Sequence, residues 1–161
     1  MRRFVLLLHE LPASAPRATH YDLMLASKGF GVGATSPTAA TASASDAAQN
    51  EKTLWTWEIA RELDSWLASP IADDVPEALL ANPLPLHRAA YMFYEGPVTD
   101  GRGRVLRIDM GEYEVLGDDS LLDGVHEEGK PTVVRLKLYG QKLRGDFELF
   151  WQQEQWYLRR A

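Results

Sequence analysis

Residues 4–8 form an uninterrupted apolar run, Phe4-Val5-Leu6-Leu7-Leu8, of a length that suits a strand covered on both faces. Residues 11–19 hold Pro12, Pro16 and several small side chains and read as a loop. From His20 to Leu25 polar and apolar residues alternate. In a strand, His20, Asp22 and Met24 then share one face, and Tyr21, Leu23 and Leu25 the other. Ser27-Lys28-Gly29 predicts a turn. Residues 54–59, Leu-Trp-Thr-Trp-Glu-Ile, resume an aromatic strand pattern; paired with 20–25 they make a hairpin with a swollen connection. That connection, at about 31–53, is rich in Ala, Ser, Thr and Gly. It has too little apolar surface to offset the entropy of ordering it, so it is expected to be a mobile loop. Residues 61–67 and 76–81 each read as a helical turn or two, with Pro70, Pro83 and Pro85 as breakers. After them the pattern predicts short strands at 91–94, 104–109, 112–116, 132–139, 145–151 and 155–159, separated by glycine turns. The fold class expected is mainly β: a single-domain antiparallel β-barrel or sandwich with one or two short helices.

Length and composition narrow the function classes. The 161 residues suit one domain with one core. No apolar run approaches the roughly 18–20 residues that cross a membrane. Met1-Arg2-Arg3 ahead of residues 4–8 has the outline of a signal peptide, but the run falls short of the ~7–15 residues of such segments and His9 and Glu10 close it; a cytoplasmic protein is expected. There is no cysteine, so disulfides and thiolate zinc sites are excluded and any metal must use imidazole and carboxylate ligands. The formal net charge of −6 argues against an extended grip on nucleic acid, whose affinity comes largely from neutralised phosphates. It leaves room for handling a strand end through a metal and a few local arginines.

Four histidines, His9, His20, His87 and His126, carry most of the candidate chemistry. His20 and Asp22 project the same way from a strand, about 6–7 Å apart along the backbone. With His9 at the end of a neighbouring strand they make two imidazoles and one carboxylate, a facial set with open positions for water and substrate. The same H-x-D pattern is also met as ordinary hydrogen-bonded residues, and spacing alone leaves both readings open. His126 lies in an acidic stretch and reads as solvated. Trp57, Trp151 and Trp156 sit in strand patterns and read as core rather than as stacking platforms for bases. Arg144, Arg159 and Arg160 with Lys137 and Lys142 read as a solvated sheet face. No P-loop, G-x-S-x-G or Rossmann fingerprint is present.

Phe4-Val5-x-x-x-His9 followed by His20-Tyr21-Asp22-Leu23-x-Leu25 resembles the opening signature of the 3′-phosphoesterase domain of bacterial ATP-dependent DNA ligase D. In that family a strand ends in a metal-binding histidine and an H-Y-D-(F/L)-R-L strand follows. Leu54-Trp55-Thr56-Trp57 is similar to its L-x-S-W strand, and His87, Tyr91 and Tyr94-Glu95-Gly96 to its H-P-x-x-Y-x-x-F-E-G segment. Gly101, Gly103 and Val105, then Asp109 and Gly111, resemble its glycine turn and W-D-x-G strand end. Leu136-x-Leu138-x-Gly140-x-Lys142-Leu143-x-Gly145 resembles its closing hairpin, and Trp156-Tyr157-Leu158 its last strand. The resemblance covers nearly the whole chain in order, apart from 31–53.

The resemblance implies that His9, His20 and Asp22 bind Mn²⁺ or another divalent ion, that His87 contacts phosphate and stabilises the transition state, and that Tyr91 is an active-site tyrosine. It implies trimming of 3′-phosphates and 3′-ribonucleotides from DNA or DNA/RNA ends in end-joining repair, with a separate ligase or polymerase in trans. The chain departs from the family at three positions. Met24 stands where the family has a phosphate-clamping arginine, Ala26 where it has an acidic residue, and Pro85 where a carboxylate precedes the active-site histidine. Arg17, Arg102, Arg104 and Arg107 are the alternative sources of a clamp. The second reading is therefore a catalytically weakened relative that binds nucleic-acid ends or a repair protein, and a third is a barrel with a structural metal or none.

Overall fold

The computed structural model describes residues 1–28, 30, 50–69, 76–118, 120–123 and 132–161. Its strands are β1 (Arg2–Glu10), β2 (His20–Ala26), β3 (Lys52–Ile59), β4 (Ala78–Arg88), β5 (Gly96–Pro97), β6 (Arg104–Val115), β7 (Val133–Tyr139), β8 (Arg144–Gln152) and β9 (Gln155–Arg160). Two short helices, α1 (Leu63–Ala68) and α2 (Ser120–Asp123), and a 3₁₀ turn at Ala89–Met92 complete it. All pairings are antiparallel, in the order β1-β2-β3-β4-β9-β8-β7-β6, and β1 pairs again with β6. Eight strands therefore close into a barrel, and β5 lies on the outer side of β6 as a ninth. Closure distinguishes barrel from sandwich and removes the exposed edges an open sheet would carry. No helix among the described residues is long and apolar enough to cross a membrane.

Alternation fills the lumen. Phe4 and Leu6 of β1, Tyr21, Leu23 and Leu25 of β2, Trp55, Trp57 and Ile59 of β3, and their counterparts on β4 and β6–β9 form one buried cluster. Leu63 and Trp66 of α1 and Leu122 of α2 extend it, and α2 is tied down by Trp55 Nε1 donating to Asp123 at 3.1 Å. A second cluster lies on the outside of the wall: Val5, Leu7, Met24, Ala26, Leu54, Met92 and Val105, with Phe30, Tyr91, Phe93 and Val98 packed against it. Strand β2 is thus buried on both faces along its whole length. The unbroken apolar run in β1 has the same cause.

The expected hairpin of 20–25 with 54–59 is present, Asp22 pairing with Glu58 and Met24 with Thr56. Most of its connection, 31–49, lies outside the described residues, as does His126. Of the expected loop at 31–53, residues 52 and 53 already belong to β3. Four further expectations are corrected. Residues 78–81 are strand, not helix, and β4 runs on through Pro83 and Pro85. Pro85 falls in the register shift against β3, between the pairs Leu54–His87 and Thr56–Leu84, and Pro83 lies past the last pair of β4 with β9 at Leu80; bulges and strand edges are where a strand tolerates residues without an N–H. Residues 91–94 are not a strand: the 3₁₀ turn buries Ala89 and Met92 three residues apart, the period of that helix, with Met92 in the outer cluster. The two strands expected at 104–116 are one, since a bulge between its pairings with Leu6 and Leu7 lets it continue. Trp57 and Trp156 pack edge to face in the lumen at 5.2 Å, but Trp151, at the end of the β8–β9 hairpin, is 44% exposed.

The basic C-terminal residues are engaged in the structure. Arg135 and Arg159 converge on buried Glu148 at 2.8 and 2.7 Å, and Arg160 caps the carbonyls of Trp66, Leu67 and Ser69.

Candidate metal centre

His9 and His20 are directly opposed on β1 and β2, and Asp22 is opposite Leu7. The period of two puts all three on the outer face of the wall, where the apolar outer cluster gives way to polar residues. Asp22 is 3% and His20 4% exposed. The rings of His9 and His20 meet at 5.0 Å and 66°. His9 Nδ1 stands 3.5 Å from Asp22 Oδ2, and His20 Nε2 stands 3.3 Å from Asp22 Oδ1. One ligand atom from each residue lies within 4.8 Å of the others. Among the described residues this is the one such group.

The far side of each ring fixes its tautomer. His9 Nε2 is 2.7 Å from the Arg102 carbonyl and His20 Nδ1 is 2.7 Å from the Ala18 carbonyl. A carbonyl cannot donate, so both nitrogens carry the proton. In the neutral rings the lone pairs of His9 Nδ1 and His20 Nε2 therefore face the Asp22 carboxylate. Oδ1 of Asp22 is itself buried without a hydrogen-bond partner. Such convergence of lone pairs is unfavourable unless a cation, or a proton on one of the imidazoles, lies between them. Two donors each about 2.1 Å from a common ion stand roughly 3.0–3.4 Å apart at octahedral or tetrahedral angles, near the 3.5 and 3.3 Å at which the two nitrogens stand from the two Asp22 oxygens, with the whole set within 4.8 Å. Histidines whose outer N–H groups rest on backbone carbonyls are also the usual setting of metal-bound imidazoles. The donor set thus fits a divalent ion of the Mn²⁺, Zn²⁺ or Fe²⁺ type.

In the metal-free protein the charges are arranged accordingly. Burial disfavours a charged His20, but the facing Asp22 carboxylate, the Ala18 carbonyl and the charges of Asp22 and Glu58 outweigh it and hold the imidazole above its ordinary 6.5. Burial likewise pushes Asp22 up, yet the facing imidazoles of His20 and His9 and their charge hold it below the ordinary carboxylate value.

The local sequence explains how the outer acceptors arrive. Gly103 has φ +74°, and a Cβ there would lie 1.8 Å from the Glu10 carbonyl oxygen. Only glycine lets the chain entering β6 come this close to the end of β1, bringing the Arg102 carbonyl onto His9. Arg102 is held by its own side chain, which donates to Thr99 O and Oγ1 at 2.9 Å. Glu58, directly across from Asp22, places Oε1 3.3 Å from His20 Nδ1 and takes Arg17 on Oε2 at 2.8 Å. Spacing did not mark Glu58; only the β2–β3 register does.

His87 and Tyr91 are not brought into contact with the triad. His87 is opposite Leu54, which is opposite Ala26. That is two strands over from β2 and four residues along from Asp22, on the order of 15 Å between Cα atoms. Its Nδ1 donates to the Pro85 carbonyl at 2.7 Å, which leaves Nε2 free of the proton in the neutral ring. Tyr91 packs edge-on against His87 at 6.0 Å and carries Arg88 over its face at 5.5 Å. Arg88 and Tyr91, but not His87, border a shallow hollow of about 140 Å³ with Tyr94, Pro97, Val98 and Thr99.

Met24, at the position of the family's arginine, is 1% exposed inside the outer cluster. Of the alternative cations, Arg17 is bound to Glu58, Arg102 to Thr99 and Arg104 to Glu10 at 2.7 Å. Arg107 pairs with Leu7, which pairs with Asp22. It is exposed and stands level with Asp22 on the same face, about 10 Å away between Cα atoms, within an arginine's reach. The chain matches no family model and no curated protein.

Proposed function

We propose that the chain is a divalent-metal-dependent phosphoesterase that trims 3′-phosphates or 3′-ribonucleotides from DNA ends, with His9, His20 and Asp22 as the ligands and Mn²⁺ as the metal. The observation that carries this reading is the unpaired, buried Asp22 oxygen facing two imidazole nitrogens whose tautomers are set by backbone carbonyls. The resemblance of the ordered motifs to the ligase D phosphoesterase domain supplies the substrate class. When bound, a divalent ion supplies charge to a phosphoryl oxygen and acidity to a coordinated water. Arg107 is the side chain best stationed to take a phosphate oxygen beside the ligands, replacing the clamp absent at Met24. His87 and Tyr91 lie farther along the same face and contact the substrate away from the ligands, His87 through Nε2, where it accepts or returns a proton. The protein acts in the cytoplasm, on DNA or DNA/RNA ends, with any ligase or polymerase supplied in trans.

The test is a primer–template carrying a 3′-phosphate or a single 3′-ribonucleotide, incubated with Mn²⁺ beside His20→Ala and Asp22→Ala. Turnover lost in both variants is expected. Absence of turnover in the parent, or turnover indifferent to the substitutions, would refute the enzymatic reading. One observation favours a second reading, a binding relative without strong catalysis: Met24 is sealed in apolar surroundings, so the family's phosphate contact has no substitute from that position. A gel shift on the same DNA with no turnover identifies that case.

A further inference from the structure

We infer that Glu58, backed by Arg17, is a positioning residue that locks His20 with its Nε2 lone pair aimed at the metal; this rests on the metal reading of the triad. Directly opposed carboxylates on neighbouring strands repel, yet Asp22 and Glu58 are paired across β2 and β3. His20 stands between them, Nε2 toward Asp22 and Nδ1 toward Glu58, both at 3.3 Å. Arg17 closes the row on the outer oxygen of Glu58 at 2.8 Å. The sequence of charges is Arg17, Glu58, His20, Asp22, His9, with two carboxylates against one permanent cation. That row carries one net negative charge, which favours a cation held by His20, Asp22 and His9.

Glu58 itself is not a ligand. It faces Nδ1, on the side of the ring opposite the Nε2 that faces Asp22, and the group of converging donor atoms does not include it. Its effect is on orientation. The Nδ1 proton already rests on the Ala18 carbonyl at 2.7 Å, but Ala18 belongs to the loop that precedes β2, and a loop carbonyl alone is a mobile anchor. The Glu58 carboxylate, 3.3 Å from the same nitrogen, adds a second, longer polar contact from the rigid barrel wall. Through Arg17, two residues before Thr19, it also ties that loop to β3. Thr19 in turn takes the Leu11 N–H on Oγ1 at 3.0 Å, closing the loop at its other end. Carboxylate, histidine and metal in series is the arrangement by which outer partners fix the tautomer and raise ligand basicity.

The experiment combines Mn²⁺ titration calorimetry with long-range ¹⁵N NMR of the metal-free His20 ring, on the parent, Glu58→Ala, Glu58→Gln and Arg17→Ala. Glu58→Ala is expected to weaken Mn²⁺ binding roughly tenfold and to admit the Nε2–H tautomer of neutral His20. Glu58→Gln, whose amide oxygen can hold the same polar contact to Nδ1, is expected to keep the parent tautomer and recover most of the affinity. Arg17→Ala is expected to fall between. A Glu58→Ala protein with parent affinity and parent tautomer overturns the inference, as does a Glu58→Gln no better than Glu58→Ala. If the parent binds no Mn²⁺, the metal reading fails, and the tautomer populations still decide whether Glu58 orients His20.

Discussion

Replacing Gly103 by alanine tests how the barrel holds His9, and Gly101→Ala is its control. Both glycines have positive φ, +74° and +66°, but a Cβ at Gly101 meets nothing within 4 Å, whereas at Gly103 it would sit 1.8 Å from the Glu10 carbonyl oxygen. The shared part of the cost is that of placing an L-residue in the left-handed region, about 1–2 kcal/mol. The unshared part is the clash. Bringing that contact to an ordinary 3.4 Å opens the junction of β1 and β6 by roughly 1.6 Å. This strains the Val98 N–H bond to the Gly103 carbonyl, now 2.8 Å, and the first pairs of β5 with β6. Two weakened backbone bonds and disturbed packing add about 2 kcal/mol. Urea unfolding followed by tryptophan fluorescence should therefore show Gly101→Ala down by about 1 kcal/mol and Gly103→Ala by about 3. The same opening draws the Arg102 carbonyl away from His9 Nε2, so Mn²⁺ affinity should fall in Gly103→Ala and stay near the parent value in Gly101→Ala. Equal destabilisation of the two variants, to within about 0.5 kcal/mol, would refute the close-approach argument.

Mn²⁺ at a hundredfold excess over its dissociation constant should stabilise the native protein by about 2.7 kcal/mol and raise Tm by roughly 5–10 °C, reversed by chelator and absent in Asp22→Asn; a scan unmoved by millimolar Mn²⁺ would refute the site. Asp109→Ala should cost about 3–4 kcal/mol in urea unfolding, because the buried carboxylate accepts the N–H groups of Met110, Gln141, Lys142 and Leu143 at 2.8–3.0 Å and nothing replaces it; a loss under 1 kcal/mol would mean that water takes over those donors. Glu148 is held below its ordinary 4.5 by hydrogen bonds from Arg135 and Arg159, whose charges add to them, against the opposing effect of burial. Its contribution is present above the unfolded-state value and lost as pH falls through the lower native one. Glu148→Gln should thus lose about 1 kcal/mol at pH 7 and converge on the parent as acid protonates Glu148; a gap that stays constant with pH contradicts the ion-pair account.

Periodicity carried most of the barrel into the sequence, because in a closed sheet each strand alternates between a lumen and an outer face. It carried the face of His20 and Asp22 for the same reason. It failed where a backbone rule competed with packing. Pro83 and Pro85 read as breakers, yet a bulge opposite β3 absorbs Pro85 and Pro83 lies past the pairing of β4 with β9. Tyr91 to Tyr94 read as strand, yet Ala89 and Met92 bury at a helical interval. The outer acceptors of the site were illegible for a different reason. Ala18, Glu58 and Arg102 reach the histidines only through the β2–β3 register and the close approach at Gly103, and no local pattern encodes register. Met24 was visible as a departure from the resembled family, but only its burial among Leu7, Leu54 and Val105 in the outer cluster explains why no charge is tolerated there.

The location of the triad follows from how the two clusters divide the wall. The lumen is filled by aromatic and aliphatic side chains and offers an ion neither room nor partners. On the outside, the 3₁₀ turn and its neighbours seal Met24, Ala26, Val5 and Leu7. The cover gives way toward His9, whose side chain is 15% exposed against 5% for Asp22. The three donors thus sit at the margin between a dry patch and solvent, where a carboxylate is desolvated enough to want a cation and an ion can still enter. The groups that orient them come from β3, from the loop before β2 and from the turn before β6. Those segments meet only when β1 has paired with both β2 and β6. Metal affinity should therefore report barrel closure as well as ligand identity, so a substitution such as Gly103→Ala, which alters no donor atom, is expected to weaken binding.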